Sequence, residues 1–211
     1  MTVKIVTDSS SELLPEMARD LGITVVPIYV RFGEEVYKER VTISDQKFYQ
    51  KLMEGTVPAT IQPGPDDFVK VYGKIAGEAD GIISIHISSK LSGTLNSALQ
   101  AKSMVNTTCP IEVLDSQTVS VALGLITIAI AEAAREGKNL QQVLEVAKEA
   151  IDDTHTIALS AKQAVLGTML NVKPLISVNN GEVVPCGRVR NRAKGMEYLL
   201  DFVNKARSLS E

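Results

Sequence analysis

The sequence predicts an α/β fold, with a parallel β-sheet carrying helices on both faces, followed by a smaller α+β second domain. In the first part of the chain, short apolar stretches alternate with segments of helical periodicity, which is typical of parallel strands joined by helices. Further along, Asn180-Gly181 lies between two apolar stretches and predicts an antiparallel hairpin, because a type I′ turn needs positive φ at both central residues. We therefore expect two domains, residues 1–153 and 154–211.

The strands of the first domain are expected at short apolar stretches bounded by turn residues. They are Val3–Thr7, Thr24–Arg31, Val36–Glu39, Ala79–His86 and Ile111–Leu114. All but Val36–Glu39 are expected in the parallel core sheet. Val36–Glu39 follows Thr24–Arg31 after a short turn that contains a glycine, so we expect these two strands to form a hairpin.

Helices are expected where a capping residue or a proline precedes apolar residues at helical spacing. In the first domain we expect helices from Pro15 to about Gly22, over Ser44–Met53, over Leu95–Val105 and over Leu140–Ile151. A further helix is expected to start at Asp66 or Asp67. A long apolar helix is expected to follow capping residues at 115–118, to continue to Arg135 and to be ended by Gly137. In the second domain we expect a strand at Thr156–Leu159, hairpin strands at Pro174–Val178 and Glu182–Pro185, and helices at Ala161–Leu170 and Ala193–Arg207.

The composition is that of an ordinary globular protein, with 211 residues, a net charge of −3 and no tryptophan. This charge gives no electrostatic reason to expect nucleic acid or an anionic membrane as the main partner. No apolar run reaches the roughly 18 residues that span a bilayer, and the start of the chain lacks a signal-peptide pattern. We therefore expect a cytoplasmic protein without stable membrane insertion. The two cysteines, Cys109 and Cys186, are far apart without a nearby histidine, so we expect no metal site.

The strongest candidate for a ligand-binding site is the hydroxyl-rich turn Ile87–Thr94, ISSKLSGT, directly after a predicted buried strand. In an open α/β sheet, ligands bind beyond the carboxyl ends of the strands, where free N–H groups at a helix start attract anions. Ser92 can cap the next helix, Gly93 allows close approach of the backbone, and Thr94 adds a hydroxyl. Lys90 carries the only full positive charge of the turn. This sequence suits a bound carboxylate or phosphate, and it equally suits a helix cap alone.

Two other polar stretches could contribute to the same site. Pro58–Phe68 is a stiff, proline-rich loop that leads into a helix, and Asp8–Ser11 follows the first strand. Each of them by itself reads as a capping turn. However, the first and third core strands both end in clustered hydroxyls, and the carboxyl ends of parallel strands lie along one edge of a sheet. We therefore expect Ser9 and Ser10 near the turn Ile87–Thr94.

Five ordered stretches of the chain resemble the DegV family of bacterial fatty-acid-binding proteins. They are VTDSSSELLP, PATIQPGPDDF, ISSKLSGTLNSA, VLDSQTVS and NVKPLISVNNGEVVPCGRVRNRAKG. The resemblance extends over nearly the whole chain. It implies two α/β domains with an acyl chain buried between them, and a carrier without enzymatic activity that presents its fatty acid to a fatty-acid kinase.

The resemblance also implies which residues hold the ligand. The positions that match the family's motifs for the carboxylate are Thr60 and Ser92. Ser9, Ser10, Gly93 and Thr94 are expected to support the head group. The ligand is a long-chain fatty acid, and neither a cofactor, a metal nor a catalytic residue is implied.

The sequence departs from the family pattern in two places. Family members are longer, with a C-terminal H-T-G-P-G turn whose histidine reaches the carboxylate, whereas the histidines here are His86 and His155. Between Thr156 and Gly167 the family has a longer segment with a G-G-R-I turn, which this sequence lacks. We therefore expect a second domain that is truncated relative to the family.

Alternatives remain open at this point. The same hydroxyl turns, with Lys90 as the electrophile, would suit a phosphate-binding or phosphotransfer enzyme. A structural protein that no longer encloses a ligand is a third reading, and the oligomeric state is not predicted. His86 is expected to be a structural histidine, and the basic run Arg188–Lys194 to be a solvated surface.

Overall fold

A computed structural model of the protein describes residues 2–159 and 172–207. Within them the chain divides into two compact units, Met1–Thr154 and His155–Glu211. The helix expected over Ala161–Leu170 lies outside the described residues.

The described strands are β1 (Val3–Asp8), β2 (Ile23–Val26), β3 (Tyr29–Phe32), β4 (Glu35–Lys38), β5 (Ala59–Ile61), β6 (Gly81–His86), β7 (Ile111–Asp115), β8 (Thr156–Leu159), β9 (Lys173–Asn179) and β10 (Glu182–Val189). The described α-helices are α1 (Pro15–Leu21), α2 (Asp45–Met53), α3 (Pro65–Ile75), α4 (Thr94–Met104), α5 (Val121–Arg135), α6 (Leu140–Asp153) and α7 (Arg192–Arg207). Short 3₁₀ turns occupy Ser9–Ser11 and Ala76–Glu78.

The first unit is built on a parallel sheet with the strand order β2-β1-β6-β7. Side chains of β1 alternate between the two faces, so Ile5 packs in the cluster formed with α5 and α6, and Val6 in the cluster formed with α3 and α4. Every residue of β6 is buried, as expected for a central strand covered on both sides. The predicted α/β class, with helices on both faces of a parallel sheet, is confirmed.

The single strand predicted over Thr24–Arg31 is wrong, because the chain changes sheets at Pro27. β2 ends at Val26 in the parallel sheet, while β3 joins an antiparallel sheet with the order β4-β3-β5. Proline has no N–H to donate to a ladder, so it marks the break. The next N–H, that of Ile28, donates to Ser9 Oγ over 2.9 Å. The hairpin predicted after this strand is confirmed as β3 and β4.

The start of the long helix α5 also differs from the prediction. The residues at 115–118 do not cap it, since the helix begins at Val121 after Ser120, whose backbone has φ 63° and ψ −142°. Asp115 instead accepts hydrogen bonds from the Gln117 N–H and the Ser89 hydroxyl. The same polar residue types are found at helix caps and in loops that hydrogen-bond to a neighbouring turn, so the sequence alone does not distinguish the two.

The second unit contains an antiparallel sheet with the order β10-β9-β8 and the helix α7 packed against it. Its hairpin turns at Asn180 and Gly181, with φ angles of 48° and 82°, so the predicted type I′ geometry is confirmed. α7 approaches the sheet closely at Gly195, where a Cβ atom would lie 2.5 Å from Leu159 Cδ2.

Candidate ligand-binding site

A cavity of about 460 Å³ lies at the carboxyl edge of the parallel sheet, in the size range of ligand pockets. Its polar lining residues are Ser10, Thr60, Gln62, Ser92 and Thr94, together with the backbone of Gly93. Its apolar lining residues are Ile28, Ile61, Ile87 and Leu91. None of these lining residues carries a charge.

The cavity brings together all but one of the residues predicted for the site. Thr60 and Ser92 lie in the same lining, with Ser10, Gly93 and Thr94. Thr60 reaches it from β5, a strand of three residues in a stretch that the sequence analysis treated as a loop.

Ser9 lies outside this lining, contrary to the expectation. Its hydroxyl donates to Glu39 Oε2 over 2.5 Å and accepts from the Ile28 N–H, and only 5% of the residue is exposed. Ser9 thus holds in place the segment around Pro27 where the chain passes from one sheet to the other, and it does not face a ligand. Burial raises the pKa of the Glu39 carboxyl group that it contacts.

Ser92 is not the N-cap residue of the following helix, because α4 begins at Thr94 and Gly93 is its N-cap, but its hydroxyl still accepts from the first N–H of the helix. Ser92 Oγ accepts from the Thr94 N–H over 3.3 Å and lies 2.9 Å from Thr94 Oγ1. Either hydroxyl can be the donor in this contact, and both residues line the cavity, so one hydroxyl proton of the pair remains for a ligand.

Gln62 is a lining residue that the sequence analysis missed. Its side-chain amide covers the Cα of Gly93, since a Cβ added there would lie 2.1 Å from Gln62 Oε1 and 2.7 Å from Cδ and Nε2. Gly93 is thus required for close approach, as predicted, but what approaches it is a side chain of the same protein. The only sequence signal was the position of Gln62 two residues after Thr60.

Asp8 fastens the two turns that form one side of the cavity. Its Oδ1 atom accepts from the N–H and the hydroxyl of Ser10. Its Oδ2 atom accepts from the Ile87 N–H at 3.1 Å and from His86 Nδ1 at 3.0 Å. Burial opposes ionisation of this fully buried carboxyl group, but the bond from His86 and the other donors outweigh it and hold the pKa of Asp8 below its usual value.

His86 continues this network into the core. Its Nε2 atom lies 2.7 Å from Ser84 Oγ, and the Tyr72 hydroxyl donates to the same Ser84 oxygen over 2.8 Å. Burial raises the pKa of Tyr72 to about 12, so this hydroxyl stays protonated as a donor. Ser84, His86 and Asp8 have the connectivity of a hydrolase triad, but all three are fully buried and outside the cavity lining. His86 is therefore placed as a structural residue.

The remaining candidates are not among the residues that line this cavity. Lys90 is exposed and does not belong to the lining. In the basic run, Lys194 pairs with Glu197 at 2.8 Å on the surface of α7. Partial burial raises the pKa of the Cys186 thiol, which disfavours the reactive thiolate.

Neither a metal site nor a membrane span is found in the described parts of the chain. Across residues 2–159 and 172–207, no group of three or more His, Cys, Asp or Glu side chains could hold a metal ion. No helix within these ranges is long and apolar enough to cross a bilayer.

Comparison with known proteins links this arrangement to one family. Residues 2–211 match the family model described as an uncharacterised protein of the DegV family. A DegV domain-containing protein of Halalkalibacterium halodurans is 36% identical, with 99% of this chain and 79% of that protein covered. One from Deinococcus radiodurans is 34% identical, covering 97% of this chain and 77% of that protein.

Solved structures of the family share the fold. A DegV family protein from Thermus thermophilus, described by its fatty acid binding, superposes with a TM-score of 0.87 at 34% identity, over 98% of this chain and 78% of that one. DegV from Bacillus subtilis, described as a fatty acid binding protein, gives a TM-score of 0.89 at 27% identity, over 99% and 79%. The resemblance inferred from the five sequence motifs is thereby confirmed, and the chain belongs to the DegV family.

Proposed function

We propose that this protein binds a long-chain fatty acid and holds its carboxyl head group through Thr60 and Ser92. The observation that supports the proposal is the cavity at the sheet edge, whose lining includes Thr60 and Ser92 together with four apolar residues. The fatty acid binding described for the Thermus thermophilus and Bacillus subtilis proteins supports the same ligand class.

The energetics of such a ligand suit an uncharged site. Each buried CH₂ group of an acyl tail contributes about 0.8 kcal/mol, so the tail supplies most of the gross affinity before the cost of ordering is subtracted. The head group then needs orientation more than attraction. Hydroxyl and amide groups, such as those of Ser92, Thr60 and Gln62, can give that orientation.

A phosphate-binding or phosphotransfer enzyme has less support. A phosphate brings up to two negative charges, and sites that bind it usually supply a cation or converging backbone N–H groups. The lining includes the start of α4 at Gly93 and Thr94, but Lys90, the cation that this alternative needs, lies outside it. The Ser84–His86–Asp8 network offers no substitute, because it is enclosed in the core.

We further propose that the protein is a carrier whose ligand is processed by a partner, a fatty-acid kinase. The family resemblance supports this step, and the cavity lining holds neither a base nor a charged group that could transfer a phosphoryl group by itself.

Binding measurements on matched variants test the head-group assignment. We expect Ser92→Ala and Thr60→Val each to weaken binding of palmitic acid by roughly 5- to 50-fold, since each removes one hydrogen-bond donor. Ser89→Ala is the control, because Ser89 belongs to the same turn but donates to Asp115 outside the lining. Unchanged affinity in both head-group variants, or an equal loss in Ser89→Ala, would contradict the assignment of Thr60 and Ser92 to the carboxyl group.

A further inference from the structure

We infer that the cavity binds the fatty acid as the neutral, protonated acid, with the hydroxyl pair of Ser92 and Thr94 donating to its carbonyl oxygen and Ser10 accepting the hydrogen of its hydroxyl group. This inference rests on the proposed function and specifies the form in which the ligand is held. It follows from the hydrogen bonds that the lining hydroxyls already make and from the charges around them.

Ser10 can only accept from a ligand. Its N–H and its hydroxyl both donate to Asp8 Oδ1. Asp8 Oδ2 is occupied by two further donors, the Ile87 N–H and His86 Nδ1. A carboxyl group surrounded by four donors is ionised, so it acts only as an acceptor. The hydroxyl proton of Ser10 therefore remains bonded to Ser10 and points toward Asp8. What Ser10 presents to the cavity is therefore an oxygen lone pair, which requires a donor on the ligand.

Ser92 and Thr94 together can donate to a ligand. Ser92 Oγ accepts from the Thr94 N–H and lies 2.9 Å from Thr94 Oγ1. Whichever hydroxyl donates in that contact, the proton of the other one remains for the ligand, because both residues line the cavity. A protonated carboxylic acid carries a carbonyl oxygen, whose two lone pairs can accept from Thr60 and from the pair of Ser92 and Thr94, and one donor hydroxyl, which matches Ser10. An ionised carboxylate has acceptors only and would face the lone pair of Ser10.

The full charges around the cavity give no net attraction for an anion. The ionisable groups on the segments that surround it are Asp8 and His86 behind Ser10, Glu39 beyond Ser9 with Arg40 and Glu12 near it, Asp66 and Asp67 at the start of α3 with Lys38 paired to Asp67, Asp115 bonded to Ser89, and Lys90 in the turn. Lys38 and Arg40 are paired with acids, Lys90 is exposed, and the start of α4 contributes only a partial positive charge. Asp8 is a fully buried anion one side chain away from the lining.

An ionised head group placed here would lose its hydration without meeting an opposite charge in the lining. Groups in that position generally become neutral instead of remaining charged. Neutralisation of the ligand also removes its repulsion from Asp8. Because free fatty acid is mostly ionised above about pH 5, selection of the neutral form lowers the observed affinity about tenfold for each further pH unit.

A set of three C16 ligands tests this inference at neutral pH. Palmitamide is uncharged and has both a carbonyl acceptor and an N–H donor, whereas hexadecanesulfonate is an anion without a donor. We expect palmitamide to compete with palmitic acid, and hexadecanesulfonate to bind at least about 100-fold more weakly than palmitamide. Sulfonate competing as well as palmitic acid, with palmitamide failing, would overturn the neutral-acid inference and leave the proposed function standing. Failure of all three ligands to bind would instead refute the proposed function.

Carbon-13 NMR gives a direct second readout with palmitic acid labelled at its carboxyl carbon. We expect the bound signal to keep the chemical shift of the protonated acid from about pH 6 to about pH 8, where free acid is ionised. In Ser10→Ala the bound signal should move toward the carboxylate value at the upper end of this range, because the acceptor is lost. Ser11→Ala is the matched control from the same 3₁₀ turn, since Ser11 does not line the cavity. A carboxylate shift throughout in the unaltered protein would refute the inference.

Discussion

Replacement of Gly93 by alanine tests the packing that shapes the candidate site. The added Cβ would lie 2.1 Å from Gln62 Oε1 and 2.7 Å from both Cδ and Nε2. Contacts this short cannot be kept, so the Gln62 amide must swing away. The backbone at Gly93 has φ −77° and ψ 4°, close to the second central position of a type I turn, which alanine can adopt, so the clash with Gln62 is the main perturbation.

The size of the stability loss depends on how freely the Gln62 side chain can move away. An exposed, flexible side chain that leaves its preferred position costs about 0.5–1.5 kcal/mol, whereas an amide trapped against the new methyl group would cost about 1–3 kcal/mol. Gln62 is exposed, so we expect Gly93→Ala to lower the free energy of unfolding by about 1 kcal/mol. Binding of palmitic acid should weaken about tenfold, because the displaced amide intrudes on the lining.

Urea denaturation and palmitic acid titration measure these two effects. The variant Gly77→Ala is the control, since a Cβ at Gly77 meets nothing within 4 Å. Adding Gln62→Ala to Gly93→Ala removes the obstructing amide and should restore most of the stability. The reasoning is refuted if Gly93→Ala behaves like Gly77→Ala, or if removal of the Gln62 side chain restores nothing.

Three further changes probe the framework of the site. Gly124→Ala places a Cβ 2.4 Å from the backbone oxygen of Ser11, which cannot rotate away, so we expect a loss of about 1–3 kcal/mol or more in the free energy of unfolding by urea denaturation. Tyr72→Phe removes the donor to Ser84 and should lower it by about 1 kcal/mol, with a loss below 0.3 kcal/mol contradicting the role of that bond. Because the pKa of Asp8 is lowered in the folded state, its stabilising effect is present above about pH 4 and is lost as the pH falls through the folded value. Asp8→Asn should therefore flatten the acid limb of a stability–pH curve, and an unchanged limb would contradict this.

Helices whose ends are set by proline, glycine or a capping serine could be predicted from the sequence. Pro15 and Gly22 bound α1 as expected, and Ser44 caps α2 through the N–H of Lys47. Proline, glycine and serine act here through their own backbone geometry or hydrogen bonds, which are local. The alternation of such helices with apolar strands was sufficient for the parallel sheet.

The predictions were wrong where contacts between residues distant in sequence determine the structure. Pro27 lies inside a stretch of strand-forming residues, and only the second sheet explains why β3 continues after it. Ser9 and Ser10 are adjacent and chemically identical, yet the 3₁₀ turn directs one hydroxyl to Glu39 and the other to Asp8. Residue type predicted that hydroxyls would gather at this edge, but their direction depends on partners distant in sequence.

Mass spectrometry of the purified protein, under native and then denaturing conditions, tests the central proposal most directly. We predict that unfolding releases a small molecule with the mass of a long-chain fatty acid, and that delipidated protein takes up one palmitic acid molecule. Ser92→Ala should take up less, while Ser89→Ala should match the unaltered protein. A folded protein that carries no acyl chain and takes up none from a mixture of fatty acids would contradict fatty-acid binding.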